Sequence, residues 1–456
     1  MHKKFEIVHL VGIGGAGMSG IAEVLRSLGY KVRGSDLKET ETTKRLRTLG
    51  IDVFIGHDTG NVSGAHLVVI SSAVPEDNPE VLAARKQSIP VIGRAEMLAE
   101  IARLKQSILI AGAHGKTTTT SLIASVLAHA GLDPTVVIGG KLKAIGGHAR
   151  LGHGDFFVAE ADESDGSFLK LSPIIAVVTN IDREHMDFFK SIDELKGAFL
   201  AFINKVPFYG LSILCLDNEY IRGLLLEVKR RFLTYGLNEE ADLRARDVRL
   251  QGVKIRFEAV LRGISLGIFE VPLPGLHSVC NSLAAILVAD ELGIDMDSVR
   301  DALQNFSGVQ RRFEFKGERG GIKVFDDYGH HPTEIIATLR AAREVMEGRL
   351  VVLFQPHRYT RTRDLLEDFY IAFSDADKVI LMDIYPAGEK PLNGINSQVL
   401  LKGIKERGKD IEYIKDRKEI LNYLDKELKA KDMLLTLGAG DVWRIGEEFL
   451  KIKDAG

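Results

Sequence analysis

Two short stretches, in each of which an apolar run passes through glycines into a helical pattern, constrain the fold of this chain most. The first reads GIGGAG at residues 12–17 and follows the run 5–11; the second reads GAHGKT at residues 112–117 and follows the run 107–111. A strand that leads into a helix through a glycine turn is the building unit of a parallel sheet covered by helices. The sequence therefore predicts an α/β protein.

The length of the chain indicates several domains. Its 456 residues exceed the ~250–300 residues at which a single hydrophobic core stops growing. Runs that predict buried strands lie at 5–11, 31–36, 66–72, 107–111, 155–159, 174–180, 350–354, 378–382 and 433–437, with a β-rich stretch at 211–273 and a hairpin turn, ERGG, at 318–321. We predict three α/β domains, at residues 1–104, 105–310 and 311–456.

Composition narrows the class of protein. The chain is 45% apolar and 27% charged, with a net charge of −3, which is typical of a globular protein and gives no reason to expect a nucleic-acid or membrane partner. Two cysteines, Cys215 and Cys280, are too few for a disulfide framework and favour a reducing compartment. No run approaches the ~18 apolar residues of a membrane span. We therefore expect a cytoplasmic protein.

The second glycine turn predicts a phosphate site of an unusual kind. The common loop, G-x-x-x-x-G-K-[ST], would require glycine where this chain has Ile110, so the loop here is two residues shorter. Lys116 could still meet the outer phosphates of a nucleotide, and Thr117 could hold Mg²⁺. The alternative is a plain helix N-terminus with a glycine turn and threonine caps.

Acidic residues follow the next predicted strand. Residues 160–165 read EADESD, and residues 180–187, after the strand beyond, read NIDREHMD. Because neighbouring parallel strands end at the same edge of a sheet, these side chains should lie near the phosphate loop. Glu160 and His185 are candidate ligands of Mg²⁺. The alternative is a solvated acidic loop.

The first glycine turn matches G-x-G-x-x-G, with Asp36 at the end of the following strand. This pattern fits a dinucleotide, and it fits equally any nucleotide diphosphate that rests on a helix N-terminus. In the last third, DDYGHHP at 326–332 and QPHRYTRTRD at 355–364 follow predicted strands. Arginines so placed suit carboxylate or phosphate recognition, or else begin a helix with solvated charges.

These strings together resemble the Mur ligases. The resemblance rests on GIGGAGMSGIA, GSD, GAHGKTTT, EADESD, NIDREHMD, DDYGHHPTE and QPHRYTRTRD, which occur in this order through all three thirds of the chain. It implies a Rossmann-like N-terminal domain that holds a UDP-sugar, a central P-loop ATPase domain with extra strands, and a C-terminal Rossmann-like domain that brings the amino acid. The short loop is then the family's own variant.

The resemblance also implies an activity. It predicts an ATP-dependent ligase that joins L-alanine to the lactyl carboxylate of UDP-N-acetylmuramate through an acyl phosphate, with two Mg²⁺ ions, in the synthesis of peptidoglycan precursors. The expected partners are small molecules only, with the chain acting as a monomer or homodimer.

Site residues are implied in the same way. The residues expected to bind the UDP-sugar are Gly12, Gly14, Gly15, Gly17, Asp36, His57 and Ser71. The residues expected to bind ATP are Gly112, Ala113, His114, Gly115, Lys116, Thr117, Thr118, Asn281, Arg312 and Asp327. The expected metal ligands are Thr117, Glu160 and His185, and the expected catalytic residues are Lys116, Glu160, His185, His330, Arg358 and Arg361. In the family an H-N-x-x-N stretch reaches the adenine; here Ser278 stands in place of its first asparagine, and Asn281 matches the second.

Three rival functions stay open at the level of sequence. The first is a recycling ligase that attaches a whole tripeptide to the same UDP-sugar. The second is an NAD-dependent oxidoreductase, which would leave Lys116, Glu160 and His185 without a role. The third is a nucleotide sensor that binds ATP without turnover.

Overall fold

The computed structural model describes residues 6–71, 73–142, 147–186 and 188–452. Within these ranges the strands are β1 (Ile7–Val11), β2 (Lys31–Asp36), β3 (Asp52–Ile55), β4 (Leu67–Ile70), β5 (Val91–Gly93), β6 (Gln106–Ala111), β7 (Thr135–Leu142), β8 (Gly147–Arg150), β9 (Phe156–Glu160), β10 (Ile175–Val178), β11 (Leu211–Cys215), β12 (Phe232–Gly236), β13 (Leu243–Gln251), β14 (Lys254–Leu261), β15 (Ile264–Val271), β16 (Glu314–Arg319), β17 (Ile322–Asp327), β18 (Leu350–Phe354), β19 (Lys378–Leu381), β20 (Ile411–Tyr413) and β21 (Met433–Leu437).

The α-helices of the same ranges are α1 (Ala16–Ser27), α2 (Glu41–Thr48), α3 (Pro79–Lys86), α4 (Arg94–Ala102), α5 (Lys116–His129), α6 (Ile192–Ile203), α7 (Glu219–Leu224), α8 (Leu276–Glu291), α9 (Met296–Gln304), α10 (Pro332–Val345), α11 (Tyr359–Asp364), α12 (Leu366–Ile371), α13 (Ser397–Glu406), α14 (Arg417–Glu427) and α15 (Trp443–Phe449). Among the residues that the structure describes, no helix is long and apolar enough to cross a membrane.

The first sheet has the strand order β3-β2-β1-β4-β5, with parallel pairing throughout. Its central strand β1 is apolar except for His9, and its last four residues are buried, as a strand covered on both faces requires. Val11 at its end pairs with Ser35 of β2 and with Ile70 of β4. The residues that follow these three strands therefore meet at one edge.

The second sheet has the order β15-β14-β13-β12-β11-β10-β6-β9-β7-β8. Strand β6 lies between β10 and β9 and is parallel to both, with Ala111 beside Val178 and Ile110 beside Glu160. The glycine–lysine turn, the acidic run and the segment after β10 consequently leave the sheet at the same edge.

The third sheet has the order β16-β17-β21-β18-β19-β20. Strands β16 and β17 form the predicted hairpin, and its turn uses Gly320 and Gly321 at φ +56° and +77°, which suits the two left-handed positions of a tight hairpin turn. The last strand, β21, inserts between β17 and β18, so that Leu437 pairs with both Asp327 and Phe354.

By contacts the described chain divides into two compact units. One comprises residues 1–246, 258–268 and 280–307, and the other comprises residues 247–257, 269–279 and 308–456. The predicted domain bounds at 104 and 310 stay a prediction. The α/β class with parallel sheets is confirmed, and the predicted strands lie where expected, to within a few residues at their ends. Residues 5 and 72 of the predicted strands lie outside the described residues.

Candidate active site

The first glycine turn is shaped by hydrogen bonds to the end of β2. Gly12, at φ +78°, donates its N–H to the Ser35 carbonyl oxygen at 2.9 Å, and Gly14 donates its N–H to Asp36 Oδ2 at 2.8 Å. A methyl group at Gly14 would lie only 2.8 Å from the same Oδ2 atom. Asp36 therefore supports the turn directly, and only glycine fits at position 14.

The helix after this turn offers an anion site. Helix α1 is capped by the backbone of Gly15, without a side-chain cap, and has no acidic residue in its first turn. Its first N–H groups thus have no partner inside the helix, and the helix dipole favours a negative charge there. Ser71 lies beside Gly12, and the side chain of Arg94 lies beside Gly17. The predicted UDP-sugar residues of the turn, with Asp36 and Ser71, thus share one edge of the sheet.

His57 belongs to a buried network around Glu80. Its Nδ1 atom is 3.0 Å from Ser35 Oγ, and that hydroxyl donates to Glu80 Oε2 at 2.5 Å. The carboxylate of Glu80 also accepts a hydrogen bond from Asn61 at 2.6 Å and contacts His9 Nε2 at 3.2 Å. Burial alone would raise the pKa of Glu80, but the hydrogen bonds from His9, Ser35 and Asn61 outweigh it, and the pKa is lowered to about 2. A fully buried, ionised carboxylate thus fixes the side of the site that carries His57.

The second glycine turn is packed as closely as the first. Gly112 has a φ of +135°, and a methyl group added there would lie 2.1 Å from Thr179 Oγ1. Gly115 has a φ of +80°, and a methyl group added there would lie 2.8 Å from Asn281 Oδ1. Ala113 and His114 donate their backbone N–H groups to Asn180, at 3.2 and 2.8 Å. An anion at this turn would therefore meet the first turn of α5, which begins at Lys116.

The side chain of Lys116 is held by an acid that the motif did not single out. Its Nζ atom lies 2.8 and 3.0 Å from the two oxygens of Glu163, and it also donates to the carbonyls of Gly112 and Ala113. Burial would lower the pKa of Lys116, but Glu163 and Asp162 outweigh it and raise the pKa. Lys116 is therefore a protonated cation that a phosphate could draw away from Glu163.

A group able to hold a metal ion lies at the same edge. The group consists of Glu163, Glu184 and His185. Each residue offers one ligand atom, and these three atoms lie within 4.8 Å of one another. Two of the three residues are buried. Two carboxylates and an imidazole fit a divalent cation, although Mg²⁺ prefers oxygen ligands. The predicted ligand Glu160 is placed differently: its Oε1 accepts from the N–H of Gly139 in β7 at 2.9 Å.

The H-N-x-x-N segment contributes Asn281 to the turn. Its Oδ1 atom accepts from Thr119 Oγ1 at 3.1 Å and lies against Gly115. Ser278, which departs from the family pattern, is buried and donates Oγ–H to the Pro274 carbonyl at 2.8 Å. Within its own segment Ser278 thus ties the first turn of α8 to the residue two places before the helix.

In the last third, a cationic cluster follows β18. Arg358, at φ +71°, pairs through Nε with Glu389 at 2.8 Å, and Arg361 Nη1 lies 3.3 Å from His357 Nδ1. Burial, then the charges of His330 and the arginines, lower the pKa of His357 to about 3. His357 is therefore neutral at pH 7 and can accept from Arg361. The ring of His330 lies 5.6 Å from that of His357, so His330, Arg358 and Arg361 form one group.

Arg312 and Asp327 lie beside β17. Arg312 is 5.2 Å above the Tyr328 ring and 3.8 Å from Glu334. Both oxygens of Asp327 accept short hydrogen bonds, from the N–H groups of Phe313 and Gly329 at 2.7 Å each. Burial raises the pKa of Asp327 to about 6 despite Arg312 and these bonds. Asp327 thus supports the backbone turns beside Arg312.

The sequence reasoning missed four residues that organise these groups: Glu80, Arg94, Glu163 and Glu389. Only Glu163 carried a signal, as a member of the EADESD run. The others occupy unremarkable helix and loop positions, and no local pattern distinguishes them. Asp187, at the end of the NIDREHMD string, lies outside the described residues.

Three sheets of mostly parallel strands, with a glycine–lysine turn at a helix N-terminus, define a multidomain α/β protein of the phosphate-loop class. Family models match three successive segments: "Mur ligase family, catalytic domain" at residues 7–106, "Mur ligase middle domain" at 110–289 and "Mur ligase, glutamate ligase domain" at 311–440. The chain belongs to the Mur ligase family.

Individual relatives agree over the full length. A protein of Geotalea uraniireducens is 58% identical to this chain over 452 residues, which is 99% of each of the two chains. A protein of Geobacter sp. strain M21 is 57% identical over 452 residues, which is 99% of this chain and 98% of that protein. Both are named UDP-N-acetylmuramate--L-alanine ligase. The crystal structure of a UDP-N-acetylmuramate-alanine ligase from Thermotoga maritima has a TM-score of 0.84 at 30% identity and covers 97% of this chain and 98% of its own.

Proposed function

We propose that this chain is an ATP-dependent ligase that joins L-alanine to the lactyl carboxylate of UDP-N-acetylmuramate. The observation that carries the proposal is the identity of 57–58% over essentially the whole length to proteins of that name. The chemistry of the described residues supports it, because a Gly-Lys-Thr turn, a cluster of acids and an arginine pair suit ATP, a divalent metal and an amino-acid carboxylate.

The first step is phosphoryl transfer. An oxygen of the lactyl carboxylate attacks the γ-phosphorus of ATP, the bond from that phosphorus to the β,γ-bridging oxygen breaks, and ADP leaves. Lys116, released from Glu163, neutralises charge on the phosphates, and the first turn of α5 donates N–H groups to them. The other residues that we propose to contact ATP are Gly112, Ala113, His114, Gly115, Thr117, Thr118 and Asn281, together with Arg312 and Asp327 from the last third.

The second step forms the amide. The deprotonated amine of L-alanine attacks the acyl carbon, and the bond from that carbon to the phosphate oxygen breaks. The nitrogen loses one proton to the phosphate, which leaves as hydrogen phosphate. Arg358 and Arg361 bind the alanine carboxylate, which leaves the amine free to attack, and His330 lies in the same group. Exclusion of water protects the acyl phosphate from hydrolysis.

We propose that two Mg²⁺ ions take part. Glu163, Glu184 and His185 fit one ion by their donor atoms and proximity, and Thr117 and Glu160 are further proposed ligands. When bound, the metal supplies positive charge that offsets the repulsion between the phosphates and the attacking carboxylate. The release of Lys116 from Glu163 would free that carboxylate for the metal.

We further propose that the reaction takes place in the cytoplasm, with the chain as a monomer or homodimer, in the assembly of peptidoglycan precursors. The proposal follows from the substrates, since ATP and a UDP-activated sugar are cytoplasmic metabolites.

The test is release of inorganic phosphate from ATP and Mg²⁺, with UDP-N-acetylmuramate and L-alanine added singly and together. We expect release to require both, and Lys116→Ala to lower kcat at least ~100-fold, because one cation at the transferred phosphate is worth several kcal/mol. Lys229→Ala, which alters an exposed lysine of the same unit, is the matched control and should keep full activity.

Other outcomes would reject the proposal in distinct ways. Release with a stem tripeptide but not with alanine would assign the chain to the recycling ligases. Binding of ATP without release under any combination would favour a sensor, and binding of a nicotinamide cofactor in place of the UDP-sugar would favour an oxidoreductase.

A further inference from the structure

Arg94 contacts the first glycine turn and the acidic run after β9. It is the first residue of α4, directly after β5, and its side chain is 18% exposed. A methyl group at Gly17 would lie 3.2 Å from both Cδ and Nη1 of Arg94. The guanidinium therefore covers the start of α1, next to the N–H groups that favour an anion.

The other side of the same guanidinium reaches the acidic run after β9. Nη2 of Arg94 donates to Asp162 Oδ2 at 3.0 Å. Asp162 precedes Glu163, the partner of Lys116. Lys116 and Arg94 together hold the pKa of Asp162 below its usual range, although burial opposes them. One side chain thus connects the turn at residues 12–17 to the group that holds Lys116.

Structural support alone does not explain this arrangement. The Asp162 side chain is 40% exposed, and ion pairs with such access to solvent add little to stability. Arginine has five N–H donors in a planar fork, so it can keep Asp162 on one edge and bind a phosphate on another. A lysine could not serve both partners with fixed geometry.

We infer that Arg94 binds the diphosphate of the UDP-sugar at the start of α1 and, through Asp162, ties the position of that diphosphate to the phosphoryl-transfer edge of the central sheet. The inference rests on the proposed function, because it takes the ligand of the first glycine turn to be a uridine diphosphate. It adds a substrate-binding residue, Arg94, and a positioning residue, Asp162.

The test compares two ligands that differ only in the diphosphate. Binding of UDP and of uridine to the full-length protein is measured by calorimetry for the wild type, Arg94→Ala, Arg94→Lys and Arg103→Ala. Arg103 caps the end of the same helix and pairs with Glu100 on the surface, which makes it the matched control. We expect Arg94→Ala to weaken UDP at least tenfold and to leave uridine unchanged, Arg94→Lys to fall between, and Arg103→Ala to match the wild type.

A second measurement separates positioning from binding. Asp162→Asn should leave the affinity for UDP within about twofold of the wild type, yet lower the kcat of phosphate release with the full substrate set, because Arg94 loses its link to the acidic run. A variant that lost both equally would contradict the positioning role.

The outcomes distinguish this inference from the proposed function. If the wild type prefers UDP to uridine and Arg94→Ala keeps that preference, the inference is wrong and the proposed function stands. If the wild type binds neither ligand, the proposed function fails and the inference with it. Should Arg94→Ala not fold, Arg94→Lys decides the matter, since unchanged UDP binding in that variant would overturn the inference that the guanidinium serves Asp162 and the diphosphate together.

Discussion

Single residues in this protein derive their roles from partners far away in sequence. Glu80, which is fully buried, accepts hydrogen bonds from Ser35 and Asn61 and contacts His9, whose position is 71 residues away in the chain. An unpaired buried carboxylate would be costly, so the ionised form persists only because these donors surround it. The His57 side of the proposed UDP-sugar site depends on that network.

The pH dependence of stability should report Glu80. Its folded pKa of about 2 lies below the unfolded value of 4.5, so its contribution is complete above pH 4.5 and is lost as the pH falls toward 2. We expect the free energy of unfolding, measured by urea titration between pH 7 and 3, to drop by roughly 2 kcal/mol on this account. Glu80→Gln should flatten that part of the curve, whereas the exposed Glu76→Gln should follow the wild type.

Two glycines offer a matched test of the phosphate turn. Gly115 and Gly131 have φ of +80° and +76°, but a methyl group at Gly115 would meet Asn281 Oδ1 at 2.8 Å and one at Gly131 would meet nothing within 4 Å. We expect Gly131→Ala to cost only the backbone strain, ~1 kcal/mol, with normal phosphate release. Gly115→Ala should cost more and lower activity at least ~10-fold; equal activity of the two variants would contradict a role for this turn.

At the scale of elements, the segment from β18 into α11 is held in place by one acid. Glu389 accepts from the N–H and Oγ of Thr360 and pairs with Arg358. Glu389→Gln weakens these charge-assisted bonds, so we expect the KM for L-alanine to rise ~5-fold, which is about 1 kcal/mol, with the KM for ATP little changed. Asp364→Asn, which alters a surface pair with Arg363 in the same helix, is the control and should leave both values unchanged.

Elements with a strong local signal were predicted well. The buried runs at β1, β6, β18 and β21 and the ERGG hairpin lie where the sequence indicated. Strands β7 and β8 were not predicted, because β7 loses its apolar run at Gly139 and becomes a strand only by pairing with β9 on one side and β8 on the other. Short strands of that kind depend on their neighbours more than on their own residues.

At the scale of the whole molecule, the third sheet should fold without the rest of the chain. Its two hydrophobic clusters, among the described residues, draw all their members from residues 313–452, so a fragment of residues 308–456 keeps its core. We expect a cooperative thermal transition by circular dichroism for this fragment. A fragment that ends at residue 432 lacks β21, the strand between β17 and β18, and should show none. A cooperative transition only after residues 247–279 are added would contradict the predicted boundary at 310.

The sequence by itself determined the α/β class, the strand–glycine–helix units and membership of the Mur ligase family, because apolar runs and glycine turns act over a few neighbouring residues. Only the tertiary structure decided which charges meet. It paired Lys116 with Glu163, 47 residues on, and it brought Arg94 to Asp162 across 68 residues. Such pairs depend on the order and register of strands in a sheet, which bring distant strand ends together, and no local pattern records that order.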